Sequence, residues 1–417
     1  MNNMEDTYDA CVIGAGASGL VAASVLARRG FRTILIEQNK KSGRKLYATG
    51  NGRCNLANAV LSDSKYYEDP FACAVVTEES VRELHRFLSE IGITLTNRDG
   101  YLYPASMQAS SVVWALTDAA RLAGAEFLYD TEITAILREE PDAGAEGYLL
   151  HTAGGRSIRV SRLVLSMGSP AAEQLGAAKK PTLYRLLMDL GLPYREFQPA
   201  LCPLEAEDAS PEVLLCSVSA ADQKALAGVR CHARLSLGSE AEEGELQLTE
   251  YGISGIVTFN LSTIAEIGDR ITVDLLPDLS EREILRILRN QSGKRRLFAA
   301  LNGLLHEKLC EYFLKGLFGE EGRKRALEGC TEEELTFLCH SLKHWELTIT
   351  GKRGEQGQAC SGGVSTEILD PATMTVTGEK RYPHLAITGE LVDVVGRCGG
   401  YNLMFALISG RKAGLSV

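Results

Sequence analysis

Val12-Ile13-Gly14-Ala15-Gly16-Ala17-Ser18-Gly19, close to the start of the chain, is the stretch that decides the fold. It sets G-x-G-x-x-G between a short apolar strand, Ala10 to Ile13, and an apolar helix, Leu20 to Ala27. A second apolar strand, Thr33-Ile34-Leu35-Ile36, follows and ends on Glu37. Each part has a task at a dinucleotide. Gly14 permits the tight turn, Gly16 lets backbone N–H groups approach a pyrophosphate, and Gly19 lets the helix pack close to the sheet. Ala17 and Ser18 stand where the helix begins, so its partial positive end faces the phosphates. Glu37 is placed to accept hydrogen bonds from a ribose diol.

A chain of 417 residues has room for two or three domains at about 100–200 residues each. Its hydrophobic content of 45% and charged content of 24% are those of an ordinary globular protein. The net charge of −10 weighs against a broad nucleic-acid or anionic-membrane surface. Met1 to Asp9 is polar and acidic, without the basic-then-apolar pattern of a signal peptide, and the apolar run Leu20 to Ala27 is too short to span a bilayer. The expected location is cytoplasmic. Eleven cysteines without a C-x-x-C fit a reducing compartment better than a disulfide framework or a zinc site. His340 and His344 lie four apart on an expected helix, but no third ligand is evident. They read as surface or capping residues, and no metal is expected.

Further along, Val81, Leu84, Phe87, Leu88 and Ile91 have helical spacing that closes on Gly92, and a second helix is expected from Ser111 to Ala123. Glu126 to Leu128, Thr131 to Ile136, Tyr148 to Thr152, Ser157 to Val160 and Arg162 to Leu165 read as strands. From about Pro199 the pattern changes. Val229, Cys231, Ala233, Leu235 and Leu237 alternate, as do Leu246-Leu248 and Ile271-Val273-Leu275, which indicates a small antiparallel β unit. From Pro277 helices take over, with capping boxes at Ser280/Glu283 and Thr331/Glu334.

The loop after Glu37 runs from Gln38 through Gly43-Arg44-Lys45-Leu46 and Thr49 to Gly50-Asn51-Gly52-Arg53-Cys54-Asn55. Glycines, basic side chains and amide donors at this density can wrap a phosphate or a flavin ring. The same composition also suits a solvated surface loop.

These residues, together with Gly14 to Gly19 and Glu37, resemble the BaiN-like family of bacterial NAD(P)/FAD-dependent oxidoreductases. Further stretches match that pattern in order: Gly100 to Pro104, Gly244 to Gly255, Ala359 to Val364, and Gly389-Glu390-Leu391-Val392-Asp393 through Gly399-Gly400-Tyr401-Asn402-Leu403. The likeness covers nearly the whole chain. It implies an α/β fold: a discontinuous Rossmann-like FAD-binding domain, 1–198 and 341–417, interrupted by a small antiparallel β-barrel-like domain, 199–278, and a helical domain, 279–340. It also implies that the adenosine half of FAD lies on the N-terminal glycines, Glu37 and Gln38, with backbone near Ile133 meeting the adenine. Arg44, Lys45, Thr49, Gly50 and Asn55 run along the pyrophosphate and isoalloxazine, with Gly52, Arg53 and Cys54 in the same loop.

The C-terminal segment makes physical sense beside this. An apolar strand, Leu385-Ala386-Ile387, ends on Thr388-Gly389-Glu390, and a helix is expected from Tyr401 to Ser409, closed by Gly410. With Gly400, Tyr401 and Asn402 at its start, that helix is expected to face the pyrimidine edge of a flavin, where its dipole would favour the reduced ring. Asp393 is expected at the ribityl chain or a phosphate-bound water. The family pattern is broken at Ser166-Met167-Gly168-Ser169-Pro170 and across Ala171 to Leu183, which bears on the contacts of Gly168 and the shape of the substrate pocket. Cys398 also departs from the family pattern.

Tyr101, Tyr103, Cys54 and His384 are candidate proton donors, and none is singled out as catalytic. Only one glycine fingerprint is present, with no second strand–G-x-G-x-x-G–helix unit from 199 to 340, so NAD(P)H is expected as a transient reductant docking in the substrate cleft. The expected function is FAD-dependent reduction of a C=C or carbonyl in a hydrophobic or metabolite-sized substrate. The basic runs Lys294-Arg295-Arg296 and Arg323-Lys324-Arg325 keep open an FAD-containing RNA-modifying enzyme. A non-enzymatic flavin-binding redox protein is a third reading.

Overall fold

Strand β1 (Asp6–Ile13) is buried without alternation from Ala10 to Ile13, because it is paired on both edges inside a sheet covered on both faces. The computed structural model describes residues 6–139, 147–171, 181–209, 220–377, 382 and 384–417. β1 leads into α1 (Ala17–Arg28), buried from Ser18 to Ala27, and then β2 (Thr33–Ile36), which lies parallel to β1 with Ala10 opposite Thr33. Helix α2 (Glu78–Glu90) starts on a Thr77/Ser80 capping box and buries Val81, Leu84, Phe87 and Leu88. Helix α3 (Ala109–Leu122) precedes β3 (Glu126–Leu128), which extends the sheet parallel to β2.

β4 (Ile133–Glu139), β5 (Gly147–Thr152) and β6 (Ser157–Leu165) form an antiparallel meander, and β6 then lies parallel to β1. The two short strands expected at Ser157 to Val160 and Arg162 to Leu165 are one strand, continuous because β1 pairs along its whole length. The order is β3-β2-β1-β6-β5-β4, a seven-stranded sheet once a C-terminal strand joins β6.

The intervening residues build a closed antiparallel barrel. It comprises β7 (Leu204–Asp208), β8 (Arg230–Leu237), β9 (Glu240–Thr249), β10 (Gly252–Ser254) and β11 (Arg270–Asp274). Helices α4 (Glu281–Arg289), α5 (Glu307–Phe318) and α6 (Glu332–Lys343) follow, and both expected capping boxes are formed. The sixth barrel strand is β12 (Trp345–Lys352), which pairs with β7 on one side and β11 on the other and closes the ring.

The domain boundaries therefore need correcting. The chain divides into Met1–Gln198 with Gln358–Val417 as one compact unit and Pro199–Gly357 as the other. The helices expected to form a separate domain over 279–340 share a single core with the barrel, in which Phe313, Leu338 and Trp345 are buried together. Residues 341–357, assigned to the dinucleotide-binding domain, belong to the inserted unit, since without β12 both β7 and β11 would have open edges.

The chain returns to the first unit with β13 (Leu385–Ile387), laid parallel on the second half of β6 where β5 has left that edge vacant. It ends with α7 (Tyr401–Ser416). This helix does not stop at Gly410 as expected. A Cβ there would lie 2.2 Å from the carbonyl oxygen of Ser18, so the glycine serves close approach to α1 and not termination. None of the described helices is long and apolar enough to cross a membrane.

Candidate cofactor site

The carboxyl ends of β1, β2 and β6 open onto a cleft of about 1350 Å³, solvent space included. A parallel sheet places its ligand crevice there. Gly14 takes φ +104° to turn the chain out of β1, and a Cβ on it would lie 2.4 Å from the carbonyl oxygen of Ser166. Gly16 is the opposite case. A Cβ on it meets nothing within 4 Å, because the space over it is the cleft.

Fourteen of the expected site residues line this cleft: Gly14, Gly16, Ala17, Ser18, Glu37, Gln38, Arg44, Lys45, Thr49, Ile133, Gly168, Gly389, Glu390 and Asn402. They come from both ends of the chain. Neither α1 nor α7 has a side-chain cap or an acidic residue in its first turn, so both helices present their positive ends without an internal neutraliser. Glu37 is almost buried, and its carboxylate accepts from Ala15 N at 2.7 Å, Asn39 N at 2.9 Å and Asn39 Nδ2 at 2.6 Å. These bonds fix its orientation at the cleft wall. Lys45 pairs with Glu390 across the chain, and Ser169 Oγ donates to the same Glu390 carboxylate at 3.1 Å.

The remaining expected residues do not line the cleft. Gly19 sits beneath it, where a Cβ would strike the carbonyl of Gly14 at 1.9 Å. Gly50, Gly52, Arg53, Cys54 and Asn55 form a compact turn in which Arg53 N donates to Gly50 O at 3.1 Å and Cys54 N to Thr49 O at 2.9 Å. Gly400 at φ +97° is pressed against this segment, since a Cβ on it would lie 2.7 Å from Ala57 O. Tyr401 turns away, its hydroxyl donating to Val60 O at 2.9 Å. Together they hold the start of α7 in place. Asp393 is the clearest correction, because its carboxylate is taken by Arg195 Nη2 at 2.8 Å and Gly362 N at 2.9 Å and faces no part of the cleft.

The candidate proton donors are also elsewhere. Tyr101, Tyr103, Cys54 and His384 are all absent from the cleft wall. Burial pushes the Cys54 thiol up to about 11, and burial likewise raises Tyr101. His384 is exposed, and its carbonyl accepts from Leu163 N at 2.9 Å as β13 begins. The cleft wall also includes residues that the sequence did not mark individually as cofactor contacts. Ser166, Met167 and Ser169 follow β6, while Thr182, Leu183 and Leu186 come from the helix Pro181–Asp189. Their signal was the apolar spacing of Leu183 and Leu186, at the end of the region that breaks the family pattern and just beyond it. Residues 172–180 of that region lie outside the described residues.

The donor set suits FAD. Open space over Gly16, two uncapped helix starts, a buried carboxylate at the end of β2 and the basic Arg44 and Lys45 meet the needs of a dinucleotide with a doubly charged pyrophosphate.

The model of the HI0933-like protein Rossmann domain matches residues 8–416. The chain is 32% identical to the 3-dehydro-bile acid delta(4,6)-reductase of Clostridium scindens, over 97% of each protein. It is 26% identical to the ribosomal RNA dihydrouridine synthase of Escherichia coli strain K12, over 96% of each. Among solved structures, the open conformation of a flavocytochrome c3 fumarate reductase covers 98% of this chain and 78% of its own at a TM-score of 0.51 and 14% identity, a likeness of fold. The chain belongs to the HI0933-like Rossmann-domain family, as the BaiN-like resemblance implied, and is an FAD-dependent oxidoreductase.

Proposed function

We propose that this oxidoreductase takes electrons from NAD(P)H and reduces the C=C or carbonyl of a hydrophobic, enone-type substrate. The observation that supports it best is full-length similarity to a reductase of 3-dehydro-bile acids. FAD, when bound, supplies the hydride chemistry, and the chain's residues supply binding, orientation and charge. In this reading Gly16 and the starts of α1 and α7 receive the pyrophosphate and the electron-rich edge of the ring. Glu37, oriented by Ala15 N and Asn39, receives the ribose hydroxyls. Lys45 and Glu390, with Ser169, fix the stretch of cleft between them. Among the described residues of Pro199–Gly357 no G-x-G-x-x-G links a strand to a helix, which favours a nicotinamide that visits over one that stays.

An RNA substrate is the weaker reading. The structure pairs the two basic runs through an Arg296–Ala326 bridge. However, Arg323, Lys324 and Arg325 direct their charge to Glu311, Glu321 and Glu334. The test is anaerobic addition of NADH and then NADPH to the yellow protein, followed by a hydrophobic enone. Bleaching by one nicotinamide and recovery of colour with the enone are expected. A flavin that neither nicotinamide reduces would overturn the donor assignment, and one that enones leave reduced would overturn the acceptor assignment.

A further inference from the structure

Helix α6 carries His340 and His344 one turn apart, with their rings stacked at a centroid distance of 4.3 Å. The ligand that local sequence lacks comes from 59 residues away. The Ser280 capping box fixes Glu281 at the first position of α4, and the packing of α4 on α6 brings its carboxylate to both rings. His340 Nδ1 lies 3.0 Å and His344 Nε2 3.3 Å from the same atom, Oε1 of Glu281. The three ligand atoms fall within 4.8 Å of one another, and all three side chains are open to solvent.

Two imidazoles directed at one carboxylate oxygen hold N–H protons where a cation would sit, and metal binding replaces such protons. The cations nearby are engaged: Lys343 with Asp274 and the carbonyls of Leu276 and Leu279, and Arg289 with Glu332. We propose that the unit Pro199–Gly357 binds a divalent transition metal ion of the zinc or cobalt class through His340 Nδ1, His344 Nε2 and the Glu281 carboxylate. Imidazole nitrogen with one carboxylate suits these ions, whereas magnesium and calcium prefer shells of oxygen. Three protein ligands leave a position for water, and the ion braces α4 against α6. The proposal is independent of the flavin reading.

The test is calorimetric titration of the full-length, untagged holoprotein with zinc chloride, and its absorption spectrum with cobalt chloride. Equimolar binding is expected, together with a cobalt spectrum of nitrogen and oxygen ligation. His340→Gln and His344→Gln, both at exposed positions, should each weaken binding about tenfold or more. His232→Gln, in the exposed His232, Glu243 and Asp278 group, should leave it unchanged. Absence of an equimolar site, wild-type affinity in the His340→Gln/His344→Gln double variant, or loss of binding with His232→Gln would each overturn the assignment. So would a cobalt–thiolate charge-transfer band, which would put the ion on a cysteine.

Discussion

The starts of α1 and α7 do the same electrostatic work by different construction. Both helices open on the cleft without a side-chain cap. The glycine before α1, Gly16, has extended backbone at φ −81°, and nothing lies over its α-carbon. The glycine before α7, Gly400, is left-handed at φ +97° and pressed against Ala57 O. One glycine leaves room for a ligand, and the other makes the backbone possible. Identical residue types at equivalent places thus meet different physical demands: open space at Gly16, a left-handed and crowded backbone at Gly400.

Substitution separates the two. Gly400→Ala forces a side chain into left-handed backbone and into a carbonyl, and should cost about 2–4 kcal/mol of stability, read as a lowered denaturation midpoint with or without flavin. Gly16→Ala should leave the stability of the flavin-free protein within about 0.5 kcal/mol. It should instead weaken FAD retention by about tenfold or more, because the added methyl enters the open space over Gly16 in which the proposed reading puts the pyrophosphate. Equal losses of stability in the two variants would remove the distinction.

The Lys45–Glu390 pair joins the short turn at Leu46–Ala48 to the short turn at Gly389–Leu391, from opposite ends of the chain. Lys45→Met leaves the largely buried Glu390 carboxylate with Ser169 alone. A loss of about 1–2 kcal/mol is expected, discounted from the cost of a fully buried pair because both side chains retain some exposure. Double-mutant analysis with Glu390→Gln checks that the loss belongs to the pair.

Alkali acts on all the buried thiols at once. Burial pushes the thiols of Cys54 and Cys231 up to about 11 and those of Cys339 and Cys398 up to about 12. The unfolded chain releases these protons first, so stability is flat below the ordinary thiol range and falls as pH rises through it toward the folded values. Urea midpoints should agree between about pH 7 and 8 and drop by about pH 10.

What the sequence revealed follows from how local each signal is. The fingerprint, Glu37 and the strand before Gly389 are short segments whose meaning lies within one βαβ unit or one strand end, and they were readable. The closure of the barrel was not, because Trp345 to Lys352 alternates like any half-buried strand and its partners, Leu204 to Asp208 and Arg270 to Asp274, are remote in sequence. Gly410 read as a helix end because its packing partner, Ser18, lies at the other end of the chain. Asp393 read as a ligand because Arg195, which occupies it, is 198 residues away. The wall formed by Thr182, Leu183 and Leu186 was hidden in a stretch without a motif.

The most direct test of the central claim is to measure FAD bound by the purified wild-type and Gly16→Ala proteins, released by heat and quantified, beside their flavin-free denaturation midpoints. The account predicts equimolar FAD in the wild type, strongly reduced FAD in the variant, and matching midpoints. A colourless wild type that takes up no FAD, or a variant that keeps its full complement, would contradict it.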